Sequence, residues 1–234
     1  MTNRLWAYLT LLATLAFLGS YFIVPGFNGF EPSQFPNRIE HPPVQPAGYA
    51  FSIWGLIYVW LFVAAVVGAV RRADDPDWAD FRPWIALSLA IGATWLPVAS
   101  VSPLLSIPVI FVMLAAALKA LFSVGVTDRW LQQAPVAIYA GWLTAAAFVG
   151  LGVVMGGYGL LPPTPAALVC LVMALAVALV VQYRLHRAPE YGVTVIWALV
   201  GVIVQNTGPL NAAVAGLSIL GIVAILGLRS TDTE

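Results

Sequence analysis

The sequence predicts an all-helical membrane protein, a bundle of about eight transmembrane helices. Of its 234 residues, 61% are hydrophobic and only 9% are charged, and the mean hydropathy is +0.93. Soluble domains of this length do not need so much apolar content, whereas a bundle of membrane helices does. The net charge is zero, so the composition argues against a basic surface for nucleic acid. The expected surroundings are therefore a lipid bilayer, and no nucleic-acid partner is expected.

Eight apolar stretches, separated by charged segments or by helix-breaking prolines and glycines, are candidate membrane spans. In chain order they cover residues 5–24, 47–70, 83–101, 104–124, 133–155, 165–183, 191–207 and 209–228. The first stretch is longer than the apolar core of a signal peptide and lacks a clear cleavage site, which predicts a retained helix. Very short joints follow the third and seventh spans, so two antiparallel hairpins are expected.

The basic residues predict the orientation of these helices. An even number of spans places both termini on one side, and if that side is the cytoplasm, only Arg38 of the ten basic residues falls outside. This distribution follows the positive-inside rule and predicts cytoplasmic termini. The single cysteine, Cys170, lies in an apolar span and is expected to be a small core residue. A bacterial inner membrane fits both observations.

The segment between the first two spans, residues 25–46, is the one substantial loop that this topology places outside. It contains six prolines and three phenylalanines, which make it both stiff and aromatic. Two interpretations are open. The segment is either a lid whose aromatic side chains fold over the mouth of the bundle, or an ordered connector with no role in ligand binding.

The second span carries an aromatic face at its start. Pro46 precedes Tyr49, Trp54 and Tyr58, which lie four or five residues apart, so a helix would place the three rings along one side. Trp54 lies well inside the apolar run, whereas a purely lipid-facing span keeps tryptophan at its ends. This spacing of proline and aromatic residues resembles the second helix of the TspO/MBR family, the tryptophan-rich sensory proteins and translocator protein relatives.

Two further segments are similar to the same family. Trp95 resembles the tryptophan of its third helix. Pro135, with Tyr139 and Trp142, resembles the proline-and-tryptophan signature of its fifth helix, although the proline-to-tryptophan distance is longer by three residues. The order of a first span, a long loop and then four more spans is also similar.

The resemblance extends over about residues 5–155. It departs from the family pattern in the third span, where Gly92 stands in place of an asparagine. It implies a TspO-like five-helix bundle over residues 1–158. The remaining apolar spans predict three additional transmembrane helices over residues 159–234, which have no counterpart in the family, and the whole is expected to form one integrated membrane domain.

The family resemblance implies a pocket that opens toward the loop between the first two helices and binds tetrapyrroles such as porphyrins, or sterols. Flat conjugated molecules stack on tryptophan and tyrosine rings, and apolar pockets suit them. The expected ligand-binding residues are Pro46, Tyr49, Phe51, Trp54, Tyr58, Trp95, Tyr139 and Trp142. The alternative role for these tryptophans is helix packing. Trp6, Trp84 and Trp130 lie near span ends and are interpreted as membrane-interface residues.

The spans contain few groups that could carry catalysis. No Asp, Glu, His or Arg lies in a span interior, which argues against an ion pump or an ion-coupled transporter. The two histidines, His41 and His186, lie in loops, so neither a metal site nor a bis-histidine haem site is expected. Binding is therefore expected more than enzymatic activity. No cofactor follows from the residues themselves, and a porphyrin- or haem-type ligand is the one that the family resemblance implies.

A polar cluster surrounds the turn between the last two spans. Asn206 and Asn211 are interpreted either as helix caps that meet water, or as inward-facing groups that hydrogen-bond a ligand or a neighbouring helix. Both interpretations are open.

Two functions follow from these observations. The preferred one is a TspO-like protein with a sensory or transport role that binds an apolar or aromatic small molecule. The alternative is a transporter of a neutral or lipophilic solute, in which the three extra helices complete a passage. Light-dependent breakdown of a porphyrin is a third option. Close glycines, such as Gly156 and Gly157, would allow tight helix contacts, including those of a homodimer.

Overall fold

A computed structural model describes residues 2–24, 27 and 29–230, and the regular secondary structure of this part is helical, with turns and loops between the helices. Its eight α-helices are α1 (Asn3–Ile23), α2 (Ile53–Val70), α3 (Arg82–Val101), α4 (Pro103–Phe122), α5 (Ala134–Gly157), α6 (Pro163–Arg184), α7 (Pro189–Gln205) and α8 (Ala212–Ser230). Each predicted span overlaps one of them. Seven are long and apolar enough to cross a membrane, and α7, with 17 residues, is shorter. The predicted fold class is confirmed.

Local sequence explains where several helices begin and end. Proline occupies the first or second position of α3, α4, α6 and α7, where the missing N–H group needs no partner. Ser102 ends α3 and also caps α4, because its hydroxyl accepts a hydrogen bond from the Leu105 amide at 3.3 Å. This single residue makes the tight hairpin that the sequence predicts between the third and fourth spans.

The chain divides into two compact units. Unit 1 contains the described residues up to Phe27 and residues Ile53–Leu143, and unit 2 contains the described residues of 28–52 and those from Thr144 onward. In unit 1, α1 packs against α2 and α3, and α3 packs against α4. In unit 2, α8 packs against α6 and α7. The predicted boundary at residue 158 follows the family resemblance and stays a prediction.

A buried arginine joins three helix ends in unit 1. The guanidinium of Arg82, which is 1% exposed, donates to the carbonyls of Gly68 at 3.0 Å, Arg72 at 2.7 Å and Ala73 at 3.0 Å. It also reaches the carbonyl of Asn3 at 3.4 Å. These acceptors lie at the end of α2, in the turn after it and at the start of α1. Because the carboxyl end of a helix carries partial negative charge, it offsets part of the cost of burying this cation.

In unit 2, the proline-rich segment, residues 29–52, is fixed to α7 by three hydrogen bonds. The Asn206 side-chain amide donates to the Pro43 carbonyl at 2.7 Å, and the Trp197 indole donates to the Ala50 carbonyl at 2.9 Å. The Ala47 amide donates to the carbonyl of Gly201 at 3.0 Å. The segment is therefore ordered and docked on α7, and whether it also acts as a lid stays a prediction. Asn206 faces inward, as the second interpretation of the polar cluster expects.

Glycines let the proline-rich segment approach the helices closely. A Cβ at Gly201 would lie 2.8 Å from the Cβ of Pro46 and 2.9 Å from that of Ala50, so only glycine fits. On α5, a Cβ at Gly157 would lie 2.4 Å from the ring of Phe35. Gly157 and Gly201 thus allow this docking inside one chain.

Two further predictions for unit 2 concern Cys170 and Asn211. Cys170 is fully buried, as predicted. Asn211 both caps a helix and bonds a neighbouring one. Its side-chain oxygen accepts from the Val214 amide at 3.4 Å in the first turn of α8, and its side-chain amide donates to the Thr164 hydroxyl of α6 at 2.9 Å.

Replacing Gly201 by alanine is expected to destabilise unit 2 by about 1–3 kcal/mol, because the new methyl group would overlap Pro46 and Ala50. Gly216→Ala is the matched control, since no atom lies within 4 Å of the Cβ position there. Thermal unfolding in detergent, followed by the reaction of buried Cys170 with a thiol dye, measures the effect. Equal transition temperatures for the two variants would contradict the close packing described here.

Candidate ligand-binding site

Five aromatic side chains from three helices meet in unit 1, and we refer to them as the aromatic cluster: Phe17, Trp54, Tyr58, Tyr139 and Trp142. Trp54 and Tyr58, one helical turn apart on α2, stack with centroids 5.4 Å apart and planes at 21°. Phe17 of α1 sets its ring edge-on to Trp54, Tyr58 and Tyr139, at 5.9, 5.4 and 5.7 Å. Trp142 of α5 meets Trp54 edge-on at 6.1 Å. Such edge and stacked contacts are the favoured geometries of aromatic pairs.

A glycine of α3 sets the position of Phe17. A Cβ at Gly92 would lie 2.8 Å from the Phe17 ring and 3.0 Å from the terminal methyl group of Met113. The ring therefore occupies the space that any larger residue at position 92 would fill. This is the position at which the sequence departs from the family asparagine.

A hydrogen-bonded pair anchors the α5 side of the cluster. The Ser88 hydroxyl of α3 donates to the Met113 carbonyl of α4 at 2.8 Å and lies 3.0 Å from the Tyr139 hydroxyl. Since the Ser88 hydrogen goes to Met113, the Tyr139 hydroxyl is the donor to Ser88. Both side chains are fully buried, so this chain of two bonds satisfies them without water.

A small cavity of about 20 Å³ lies in unit 1, and none of the five cluster residues lines it. Three of its lining residues, Thr14, Leu61 and Val136, lie one helical turn from Phe17, Tyr58 and Tyr139, all in the direction of Arg82. The rest of its wall is formed by Ala7, Thr10, Ala64, Ala65, Gly68, Trp78, Phe81, Arg82, Ile85, Leu89, Leu131 and Pro135. This volume holds about one water molecule.

The wall of the cavity is apolar except for four residues. The hydroxyls of Thr10 and Thr14 donate to carbonyls within α1, at 2.8 and 2.7 Å. Arg82 carries the buried positive charge, and Trp78 packs its indole ring 5.6 Å from that guanidinium. The indole N–H of Trp78 has no acceptor among the described residues, although the residue is only 2% exposed. The cavity thus has an apolar side toward the aromatic rings and two buried donor groups among its wall residues.

A family model described as TSPO-like protein matches residues 4–229 of the chain. The chain belongs to this family. The match includes all eight helices, so it extends beyond the 5–155 resemblance and includes the three C-terminal helices. No curated protein and no solved structure matches the chain. With its apolar helices, the TSPO-like protein is an integral membrane protein.

The structure of the TSPO-like protein brings four of the predicted site residues together, namely Trp54, Tyr58, Tyr139 and Trp142. Trp95, also in unit 1, has other partners. Its indole donates to the Ser106 carbonyl at 3.1 Å, and its ring meets Phe27 edge-on at 5.3 Å.

The other three predicted site residues, Pro46, Tyr49 and Phe51, belong to unit 2. The predicted second span is one helical stretch, Gly48–Val70, but its first part, Gly48–Ser52, is a 3-10 helix and α2 begins at Ile53. Tyr49 therefore precedes the α-helix that carries Trp54 and Tyr58. Tyr49 packs edge-on to Trp197 at 5.6 Å. The physical reason is the bond from the Trp197 indole to the Ala50 carbonyl, which ties this turn to α7.

Phe17 is the central cluster residue that sequence reasoning missed. A signal existed in α1, where Ala7, Thr10, Thr14 and Phe17 recur every three or four residues and form the buried face. Small and hydroxyl-bearing residues on one helix face are typical of close packing in membranes. The partner helix that Phe17 faces could not be read from this pattern.

Replacing Gly92 by alanine should displace Phe17 and destabilise the fold by about 1–3 kcal/mol. Gly55→Ala, on α2, is the control, since its Cβ would meet nothing within 4 Å. Thermal unfolding measures stability, and near-ultraviolet circular dichroism reports the packing of the rings. An unchanged dichroism spectrum for Gly92→Ala would contradict the described contact.

Ser88→Ala should cost more stability than Tyr139→Phe. Ser88→Ala leaves the buried Tyr139 hydroxyl without a hydrogen-bond acceptor, at a cost of about 1–3 kcal/mol. Tyr139→Phe leaves the Ser88 hydroxyl bonded to the Met113 carbonyl. The double variant should be no less stable than Ser88→Ala alone, because neither hydroxyl remains. Denaturation of all three variants tests this order, and a larger loss for Tyr139→Phe would refute the assigned donor direction.

Proposed function

We propose that this TSPO-like protein binds a flat apolar molecule, a tetrapyrrole such as a porphyrin or a sterol-like compound, at the aromatic cluster, with a sensory or transport role. One observation carries the proposal: rings from α1, α2 and α5 converge at one place in unit 1. Broad indole and phenol faces suit a flat conjugated ring, and an apolar pocket with few polar groups is typical of small-molecule sites.

Binding at this site requires the rings to part. The cavity described in unit 1 has about 20 Å³, which is far below the several hundred cubic ångströms of a ligand pocket. Each edge-on or stacked pair that opens costs about 0.5–1.5 kcal/mol, and stacking of the ligand on the same rings offsets that cost. The aromatic cluster is thus a closed form of the site, which a macrocycle would open by replacing ring-to-ring contacts with ring-to-ligand contacts.

Trp54→Phe and Trp142→Phe should each weaken protoporphyrin IX binding by about threefold to tenfold, because a phenyl ring offers less stacking area than an indole. Titration of the porphyrin absorption band with the purified protein measures the affinity. Trp84→Phe is the matched control, since this indole is 39% exposed and faces Lys119.

Equal weakening by the control and by the cluster variants would remove the aromatic cluster as the site. Saturable solute flux in proteoliposomes, with a porphyrin response that the cluster variants leave unchanged, would favour the alternative of a transporter for a neutral or lipophilic solute. The appearance of porphyrin breakdown products only under light would add the photochemical activity.

The charge distribution of the loops supports a location in a bacterial inner membrane with both termini in the cytoplasm. Reporter domains fused to either terminus test this orientation, and a periplasmic signal from either fusion would contradict it.

A further inference from the structure

We propose that unit 1 binds an anionic phospholipid where α3 begins and α4 ends, with the lipid phosphate paired to Lys119 beside the ring of Trp84. This site is separate from the aromatic cluster, so its test is independent of the proposed function. It lies on the side of the membrane that we propose to be cytoplasmic, where the basic residues of the chain gather.

The first observation is a cation held against an indole at the boundary of the membrane. Lys119 lies in the last turn of α4, and Trp84 lies in the first turn of α3. The Lys119 ammonium is 5.8 Å from the centroid of the Trp84 ring, and this cation–π contact holds it in place. Both side chains are exposed. Tryptophan favours the headgroup level of a bilayer and lysine extends its ammonium there, so the pair lies at the depth of lipid phosphates.

The second observation concerns the charge of Lys119, the single lysine of the sequence. Two arginines of unit 1 are neutralised by acids, since Arg4 pairs with Asp74 and Arg72 pairs with Asp75. Among the residues that the structure describes, no ion pair includes Lys119. The helix end of α4 supplies only about half of a negative charge. An ammonium in this position therefore attracts anionic lipid.

The third observation is an apolar path for the acyl chains next to the pair. Since α3 and α4 form an antiparallel hairpin, the residues one turn inward from Trp84 and from Lys119 are neighbours. These residues are Leu87, which is 44% exposed, and Ala115, whose small side chain is also exposed. Val112, a further turn along α4, is 50% exposed. A lipid with its phosphate at Lys119 gains van der Waals contact along this face.

The charge of the pair selects the class of headgroup. Phosphatidylglycerol has one negative charge and no cation, so its phosphate meets the Lys119 ammonium without opposition. Phosphatidylcholine carries a quaternary ammonium next to its phosphate, and Lys119 repels this second cation. The indole face that could bind choline already contacts lysine. The site is therefore expected to favour anionic over zwitterionic phospholipid.

The first experiment compares dioleoyl phosphatidylglycerol with dioleoyl phosphatidylcholine, which have the same acyl chains. Native mass spectrometry of the protein in detergent measures the ratio of the two dissociation constants for the first bound lipid. The wild-type protein should favour phosphatidylglycerol by about fivefold. Lys119→Gln should remove most of this preference, and Lys119→Arg should retain it. Arg4→Gln is the matched control, since it removes the same charge from an exposed residue that is paired with Asp74.

The second experiment measures the site directly, because acetylation of a single lysine can be followed by peptide mass spectrometry. Nanodiscs of phosphatidylglycerol should slow the acetylation of Lys119 by about threefold or more relative to nanodiscs of phosphatidylcholine. Arg4→Lys introduces a reference amine at the same end of unit 1, and this amine should be slowed less. In detergent, soluble glycerol 3-phosphate should not protect Lys119, because it has no acyl chains.

Three results would overturn the proposal. The first is equal affinity of the wild-type protein for the two lipids. The second is an equal loss of preference in Arg4→Gln and Lys119→Gln, since net charge alone would then explain the binding. The third is protection of Lys119 by glycerol 3-phosphate as strong as that by phosphatidylglycerol, which would make this an anion site and not a lipid site. Neither Lys119 nor Arg4 belongs to the aromatic cluster, so porphyrin binding should be unchanged in these variants.

Discussion

The buried guanidinium of Arg82 is the interaction on which the rest of unit 1 depends. It binds the start of α1, the end of α2 and the following turn, while it is itself part of the first turn of α3. The three helices are thereby fixed at one end, and the side chains two to four turns further along them meet in register. The aromatic cluster is the consequence, because Phe17 and the stacked pair Trp54 and Tyr58 lie on these helices.

The second constraint is the set of glycines at close contacts, where the lack of a side chain lets a neighbouring residue approach the helix backbone. Gly68 leaves room for the Trp78 ring beside Arg82, and Gly92 leaves room for Phe17. In unit 2, Gly201 and Gly157 allow the proline-rich segment to lie directly on helix backbone. Without a hydrophobic driving force between helices in lipid, such close approach is a main source of their association. The same feature that stabilises the bundle therefore also shapes the proposed site.

These constraints are compatible with the proposed site, which would be closed when it is empty. The rings satisfy one another, and the cavity in unit 1 is small, so the ligand-free protein does not expose a large apolar void. Membership of the TSPO-like family and the long apolar helices make this arrangement part of an integral membrane protein.

The sequence by itself determined the helices, because hydropathy over about twenty residues and the positions of prolines and glycines are local properties. It also predicted that Trp54 and Tyr58 would share a helix face, since four residues make about one turn. The sequence did not predict the 3-10 helix around Tyr49, because the hydrogen bond from the indole of the distant Trp197 to the Ala50 carbonyl holds that backbone. The sequence also did not predict the partners of Trp95, the Ser106 carbonyl and the Phe27 ring.

Only the tertiary structure decided which rings meet and which charge is buried. Arg82 looks in the sequence like one more basic residue at a span end, yet packing of three helix ends excludes it from solvent. Phe17 looks like an ordinary apolar residue until Gly92 on another helix makes space for it. Arg82 and its acceptor Asn3 are 79 positions apart in the chain, and Phe17 and Gly92 lie on different helices, so no local pattern encodes which distant helix supplies the partner.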